Sequence, residues 1–279
     1  MRLIVNVHNV LDAELDRIDR KWSPRITVGQ LREAIDALSR RFRWIGIDEL
    51  LSSDAQDVAV LTFDDGYRGV LRHAAPLLRE RAIPGAVFVI TGTLCDERPL
   101  LHFEEIEVAY RISPDRDRVK NLGDAKRALR MLPEAQRQEQ QGELLERLGV
   151  TSDDCRAAAR DDERFAMLTA AELAELRDAG WTIGSHTRTH RALSVLDEGE
   201  LESEVAGSRD DLRALLHIDR MPFAYPYGNR RHINDLAAEA VMRAGYCCAF
   251  TMIDGDDASN DDRMAIRRVD VRDVLERLL

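Results

Sequence analysis

Two polar clusters, about 120 residues apart, carry the residue types that a hydrolytic metal centre needs: Thr62-Phe63-Asp64-Asp65-Gly66 and Gly184-Ser185-His186-Thr187-Arg188-Thr189-His190. Two imidazoles and one carboxylate make a typical three-ligand catalytic set for a divalent cation and leave a coordination position open for water. Asp65, His186 and His190 can supply that set. Asp64, next in the chain to Asp65, would lie close enough to take a proton from the coordinated water, whose pKa such an ion lowers from 15.7 toward roughly 7. The two histidines are four apart, a spacing that suits one helix face or a tight turn.

Each cluster alone has a plain structural explanation. Asp-Asp-Gly after a strand is usually a turn with a capping carboxylate, and exposed HxxxH pairs arise by chance. Their conjunction is more telling. The first follows the apolar run Val58-Ala59-Val60-Leu61 and the second follows Trp181-Thr182-Ile183, so both are presented at strand ends, where α/β enzymes keep their chemistry. Both are also bordered by the small residues Gly66, Gly184 and Ser185, which let a ligand approach closely.

The elements that must position these clusters alternate between strand and helix. Leu3–Val7 reads as a first strand ending at His8, and Thr27 caps a helix through about Ser39, with Leu31, Ile35 and Leu38 on one face. Trp44–Ile47, Val58–Leu61 and Ala86–Thr91 read as strands. Gly69–Arg81 reads as a helix with Pro76 as an awkward interior residue. From about Cys95 to Arg164 strand-like runs vanish and helical segments such as Lys126–Leu132 and Glu134–Leu148 take over, the pattern of a helical insertion. Alternation resumes with a capping box at Thr169-Ala170-Ala171-Glu172 and a stop at Gly180. A helix at Glu200–Leu216, a strand at Pro222–Tyr225, a helix at Asn234–Ala244 and strands at Tyr246–Thr251 and Ala265–Val271 complete the chain. Repeated β-then-α units imply a parallel sheet or barrel.

The bulk composition narrows the partners. At 279 residues and 44% hydrophobic, the chain has ample material for a core. A net charge of -11 argues against a nucleic-acid or anionic-membrane surface, since both require clustered Lys and Arg. Cys95, Cys155, Cys247 and Cys248 show neither paired CxxC spacing nor a disulfide framework and read as reduced. Cys247 and Cys248, neighbours on one strand, should leave one thiol buried and one exposed. No signal peptide or membrane-spanning run is visible, so a cytoplasmic address is the expectation.

Thr62-Phe63-Asp64-Asp65-Gly66, the segment Ser185–His190 and Phe223-Ala224-Tyr225-Pro226-Tyr227-Gly228 closely resemble, in order, the successive motifs of the polysaccharide deacetylase family, the NodB-homology or carbohydrate esterase family 4 domain. The resemblance implies an α/β fold, a distorted (β/α)7-type barrel, with residues 1–279 forming one such domain that carries the helical insertion at about 95–165. It implies zinc, with nickel or cobalt as alternatives, and removal of an acetyl group from an N-acetylated sugar. Asp64 resembles the catalytic base, and Asp65, His186 and His190 the metal triad. Tyr227 resembles the residue whose backbone N–H stabilises the oxyanion, with Tyr225, Pro226 and Thr187 placed beside it as substrate-binding positions.

Two departures from the family pattern stand out. Members commonly carry an Arg shortly before the Pro-Tyr pair to hold the base, but here that stretch reads Met221-Pro222-Phe223-Ala224-Tyr225, which leaves the orientation of Asp64 open. Members also carry a general-acid His on a late strand, yet no histidine follows His232. Members with rearranged strand order place that His at the end of the first strand, where His8 stands. An imidazole titrating near neutrality would suit protonation of the departing amine. His73, His102, His217 and His232 lie outside the motifs, with His232 near the Tyr227 loop.

The acidic stretch Asp254–Asp262 lacks EF-hand spacing and reads as a solvated loop. Arg267 or Arg268 can reach the rim of the site or form an ion pair with a neighbouring carboxylate. The expected substrate is therefore an N-acylated sugar or glycan precursor, with the 95–165 insertion as a flap or a contact to a lipid-linked carrier. A deformylase or amidohydrolase acting on a lipid-linked sugar or a small non-sugar amide is the competing enzyme reading. A catalytically inactive glycan-binding protein is the alternative from another class.

Overall fold

The computed structural model describes residues 1–95, 99–253 and 262–278. The first half supplies β1 (Arg2–Val7), β2 (Asn9–Leu11), α1 (Arg17–Trp22), β3 (Arg25–Thr27), α2 (Val28–Ser39), β4 (Arg43–Trp44), α3 (Ile47–Ser52), β5 (Val58–Phe63), α4 (Ala75–Glu80) and β6 (Gly85–Val89). Four helices of the inserted region follow: α5 (His102–Ile112), α6 (Leu122–Arg130), α7 (Glu134–Leu148) and α8 (Ser152–Ala159). The chain then continues through α9 (Ala170–Asp178), β7 (Thr182–Ser185), α10 (Glu198–Leu216), β8 (Phe223–Ala224), α11 (Asp235–Ala244), β9 (Ala249–Phe250), β10 (Val269–Asp270) and α12 (Val271–Leu278).

The main sheet is parallel throughout, in the order β10-β1-β5-β6-β7-β8-β9, with β4 also paired to β5. It curls until its edges meet on one segment. Ile266 bridges Phe250 of β9, and three residues later Val269 pairs with Val5 of β1. This is the distorted barrel that the alternating units and the family resemblance imply. All strands point the same way, so their C-terminal ends gather Asp64, Asp65, His186 and the Tyr227 loop at one mouth.

Capping decides several boundaries. Thr27 and Thr169 each accept a backbone N–H from the third helical residue, whose side chain reaches back, fixing the starts of α2 and α9. The strand expected over Trp44–Ile47 is shorter, because Gly46 caps α3 and Asp48 and Glu49 favour its N-terminus. The helix expected over Gly69–Arg81 is a π-helical turn, Val70–Ala74, running into α4. Pro76 stands in the first turn of α4, where a missing N–H costs nothing, so it is not an interior breaker. All four cysteines are free, with Cys248 buried and Cys247 half-buried.

Helices α5 to α8 have their own apolar cluster, built on Ile106, Leu122, Leu129, Leu145, Leu148 and Phe165. Beneath them is a buried ionic knot in which Glu107 accepts from Ser23 (2.6 Å), Arg25 (2.5 Å), Lys126 (2.7 Å) and Arg111 (3.0 Å). Most of their large apolar residues face inward, with Ile112 and Met131 exposed, and nothing in this arrangement supports the expected lipid-carrier contact. Among the described residues no helix is long and apolar enough to cross a membrane. The acidic stretch read as a loop falls almost wholly on residues 254–261, outside the described ones.

Candidate active site

Three buried groups from two loops converge. Asp65 Oδ1 lies 3.4 Å from Nε2 of both His186 and His190, and it accepts no hydrogen bond. His186 Nδ1 is 2.7 Å from the carbonyl of Ala224, which takes the ring proton and turns the Nε2 lone pair toward Asp65. Burial holds both imidazoles below their ordinary value, so they are neutral, as metal ligands must be. Burial also pushes the Asp65 carboxyl well up, with the neighbouring Asp64 charge adding to the shift. An orphaned carboxylate oxygen facing two neutral nitrogens is a donor set able to hold a divalent cation, and these are the described residues that could do so.

The turns that deliver these ligands depend on left-handed backbone. Asp65 (φ 71°), Thr187 (φ 68°), His190 (φ 61°) and Tyr227 (φ 59°) all adopt it without being glycine, a cost of about 1–3 kcal/mol each that surrounding structure must offset. Gly66 has φ 86°, and a Cβ there would come within 2.9 Å of Val89. The HxxxH spacing is therefore realised as a tight turn, not a helix face, with Thr187 Oγ1 accepting the His190 N–H at 3.0 Å.

Asp64 is held from behind. Arg268, fully buried, donates to both carboxylate oxygens at 2.8 and 2.7 Å, and Asn6 Nδ2 adds a third bond at 3.0 Å. Arg268 also donates to Asn6 Oδ1 (3.0 Å), Thr62 Oγ1 (3.2 Å) and the Thr251 carbonyl (3.1 Å). Burial, the largest single influence, would raise the Asp64 carboxyl, but the Arg268 guanidinium together with His186 and His8 holds it at about 2. The orientation left open by the missing upstream Arg is supplied from the barrel-closing segment, and Arg268 sits beneath Asp64, not at the rim.

Tyr227 closes the mouth. Its ring lies 4.5 Å from that of His190 and 4.9 Å from His232, its hydroxyl is 3.2 Å from His102 Nε2, and Arg130 of α6 covers it at 3.9 Å. Phe103 of α5 packs on His190 at 5.0 Å, so the inserted helices touch the Asp65-His186-His190 cluster directly. A cavity of about 360 Å³ opens over Asp64, Asp65, His8, His186, His190 and Tyr227.

A profile of the polysaccharide deacetylase family matches residues 52–249. The chain belongs to the polysaccharide deacetylase family. Solved structures of the deacetylase fold resemble it over nearly its whole length. IcaB from Ammonifex degensii shares 19% identity with a TM-score of 0.64, over 99% of this chain and 94% of that one. The Streptococcus pyogenes deacetylase PplD in complex with acetate shares 16% at a TM-score of 0.63, over 96% and 91%. A de-N-acetylase from Aggregatibacter actinomycetemcomitans shares 15% at 0.63, over 100% and 99%. No curated protein sequence matches the chain.

Against this family pattern the expected residues separate into two groups. Asp64, Asp65, His186, His190, Tyr227 and His8 meet around one cavity. Thr187 is buried as a turn former, Tyr225 packs inward at 5.3 Å from the Phe223 ring, and neither these two nor Pro226 lines the cavity. His8 does not titrate near neutrality: desolvation pushes it down to about 4, and the charges of Asp64 and Asp270 only partly compensate. The ion pair expected of Arg267 or Arg268 with a neighbouring carboxylate is made by Arg268 with Asp64, whereas Asn6 was missed as part of this clamp. Its signal was a polar residue inside the apolar run of β1, in register with Thr62 of β5.

Proposed function

We propose that the protein is a metal-dependent hydrolase that removes an N-acyl group, acetyl above all, from an amino sugar of a glycan or glycan precursor. The reading treats the whole chain as one catalytic domain with α5–α8 as an insertion over the site. The observation that carries it is the orphaned Asp65 oxygen 3.4 Å from two imidazole nitrogens, with the clamped Asp64 carboxylate beside it. Membership of the family supports the substrate class. The acetate in the Streptococcus pyogenes structure is the acid that such a reaction releases.

Asp65, His186 and His190 would hold the cation, zinc in the first instance and nickel or cobalt as substitutes. When bound, it supplies Lewis acidity, bringing water within reach of deprotonation at neutral pH and drawing charge from the acyl oxygen. Asp64, ionised by Arg268, takes the proton of the attacking water. The Tyr227 N–H donates to no acceptor among the described residues and is available to the developing oxyanion, a contact of this kind being worth roughly 3–4 kcal/mol. As the C–N bond breaks, His8 delivers a proton to the departing amine. Because it rests neutral, that proton must reach it during turnover.

The test is hydrolysis of N-acetyl sugars by zinc-loaded protein, followed as released acetate and free amine, beside N-formyl sugars and simple cyclic amides. Turnover of the amides alone would defeat the sugar assignment. Loaded protein that hydrolyses none of them would favour a binding protein.

A further inference from the structure

Five cationic side chains line the candidate cavity: Lys21, Lys126, Arg127, Arg130 and Arg272. That is unexpected in a chain of net charge -11. The acidic groups of the lining are Asp64, Asp65 and Asp270, and they do not neutralise the mouth. Asp64 is clamped by Arg268, Asp65 faces the two imidazoles, and Asp270 is held by Arg272 at 2.7 Å. Lys126 is matched by Glu107 at 2.7 Å, and Arg127 pairs with Asp124 on the exposed face of α6. Lys21 and Arg130 pair with no carboxylate among the described residues, and the buried Nε of Arg130 has no acceptor.

From this arrangement we infer that the N-acylated sugar handled here carries a phosphate or diphosphate ester, bound at the cavity mouth by Arg130, Arg127 and Lys21. The inference rests on the deacetylase reading of the same site. A neutral glycan would be expected to stack its rings on exposed aromatic faces, but those faces are taken. Arg130 covers Tyr227 at 3.9 Å and Lys21 lies 4.9 Å over Trp22. The Arg130 guanidinium, left without a carboxylate, matches phosphate geometry, and the Lys21 ammonium adds a second unpaired charge. At about 360 Å³ the cavity is also near the small end for ligand sites, suiting one sugar and its ester better than a run of rings. A nucleoside diphosphate sugar and a lipid diphosphate sugar share this chemistry.

The experiment compares kcat/KM of zinc-loaded protein for N-acetylglucosamine 1-phosphate and for methyl N-acetylglucosaminide. The phosphorylated sugar should be favoured at least tenfold, and the preference should shrink as salt is raised. Combining Arg130→Gln with Arg127→Gln should cut kcat/KM for the phosphorylated sugar about tenfold more than it cuts kcat/KM for the neutral one. UDP-N-acetylglucosamine and a short prenyl-diphosphate N-acetylglucosamine separate the two sources, and a gain with either supports the inference. Equal rates on the charged and neutral sugars would overturn it while leaving the deacetylase reading intact. If neither sugar is hydrolysed, that reading fails, and binding to metal-free protein then decides the charge question. Glucosamine 1-phosphate held no more tightly than glucosamine would overturn the inference there too.

Discussion

Arg268 meets Asp64 edge to edge, Nη1 to Oδ1 at 2.8 Å and Nη2 to Oδ2 at 2.7 Å, with the guanidinium fully buried and the carboxylate nearly so. A buried pair of this kind is weak evidence for stability, yet removing one partner strands the other charge. Arg268→Met should therefore lower unfolding free energy by about 3–5 kcal/mol in urea titration. Arg268→Lys keeps a charge but not the fork. It should fold and move the acidic limb of the kcat/KM profile upward, since the Asp64 carboxyl is no longer held at about 2. An unmoved limb would show that the clamp does not set the ionisation of Asp64.

For Asp64→Asn the expected outcome is a loss of kcat of at least ~10²–10⁴-fold with metal content unchanged. His186→Ala should lose both, because it removes a ligand. Elemental analysis beside a rate assay checks the pair. Near wild-type kcat in Asp64→Asn would mean that another base is at work.

His8→Ala should lower kcat by roughly 10²-fold or more while leaving bound metal unchanged, as expected of a proton donor. Measured on an aryl acetate ester, whose phenolate departs without protonation, the deficit should narrow. An equal rate on ordinary substrates would return His8 to a packing role.

Metal uptake should release a proton. The Asp65 carboxyl is held well above its ordinary value without an ion, whereas both histidines are already neutral. Affinity should weaken as pH falls, by up to about tenfold per unit below the Asp65 pKa. Calorimetry in buffers of different ionisation enthalpy reads the proton directly, and a buffer-independent enthalpy would contradict the assignment.

Metal-free protein should lose stability as pH falls from about 6.5 toward 4. Burial depresses the imidazoles of His8, His102, His186, His190 and His232, so the unfolded chain takes up their protons first and each costs stability through that window. Asp65 and Glu104 are raised, Glu104 to about 7, and act in the opposite sense. Each fully shifted group is worth about 1.4 kcal/mol per pH unit, so five depressed groups outweigh two raised ones. Tm followed from pH 7 to 5 in chelator should fall; a flat or rising Tm would refute this balance.

How much of this was legible in sequence follows from how local each signal is. Asp64, Asp65, His186 and His190 could be read because each pair sits within one turn after an apolar run, and the strand-helix alternation exposed the parallel barrel. The clamp was harder to see: Asn6 and Arg268 are 262 positions apart and meet only because the sheet curls shut. Tyr225 stands two residues before Tyr227, which lines the cavity, while its own ring packs into the core just past the end of β8. Arg130 gave no signal at all, since a helical arginine looks alike whether it faces water or a tyrosine ring.

The segment Ile266–Val269 joins the two edges of the barrel and also carries the side chain that grips Asp64. Cylinder integrity and chemical readiness thus share one short stretch of chain. A proteolytic nick or a permuted terminus placed there would silence the enzyme while much of the remaining sheet stayed assembled, so far-ultraviolet ellipticity would be a poor guide to whether a preparation is competent.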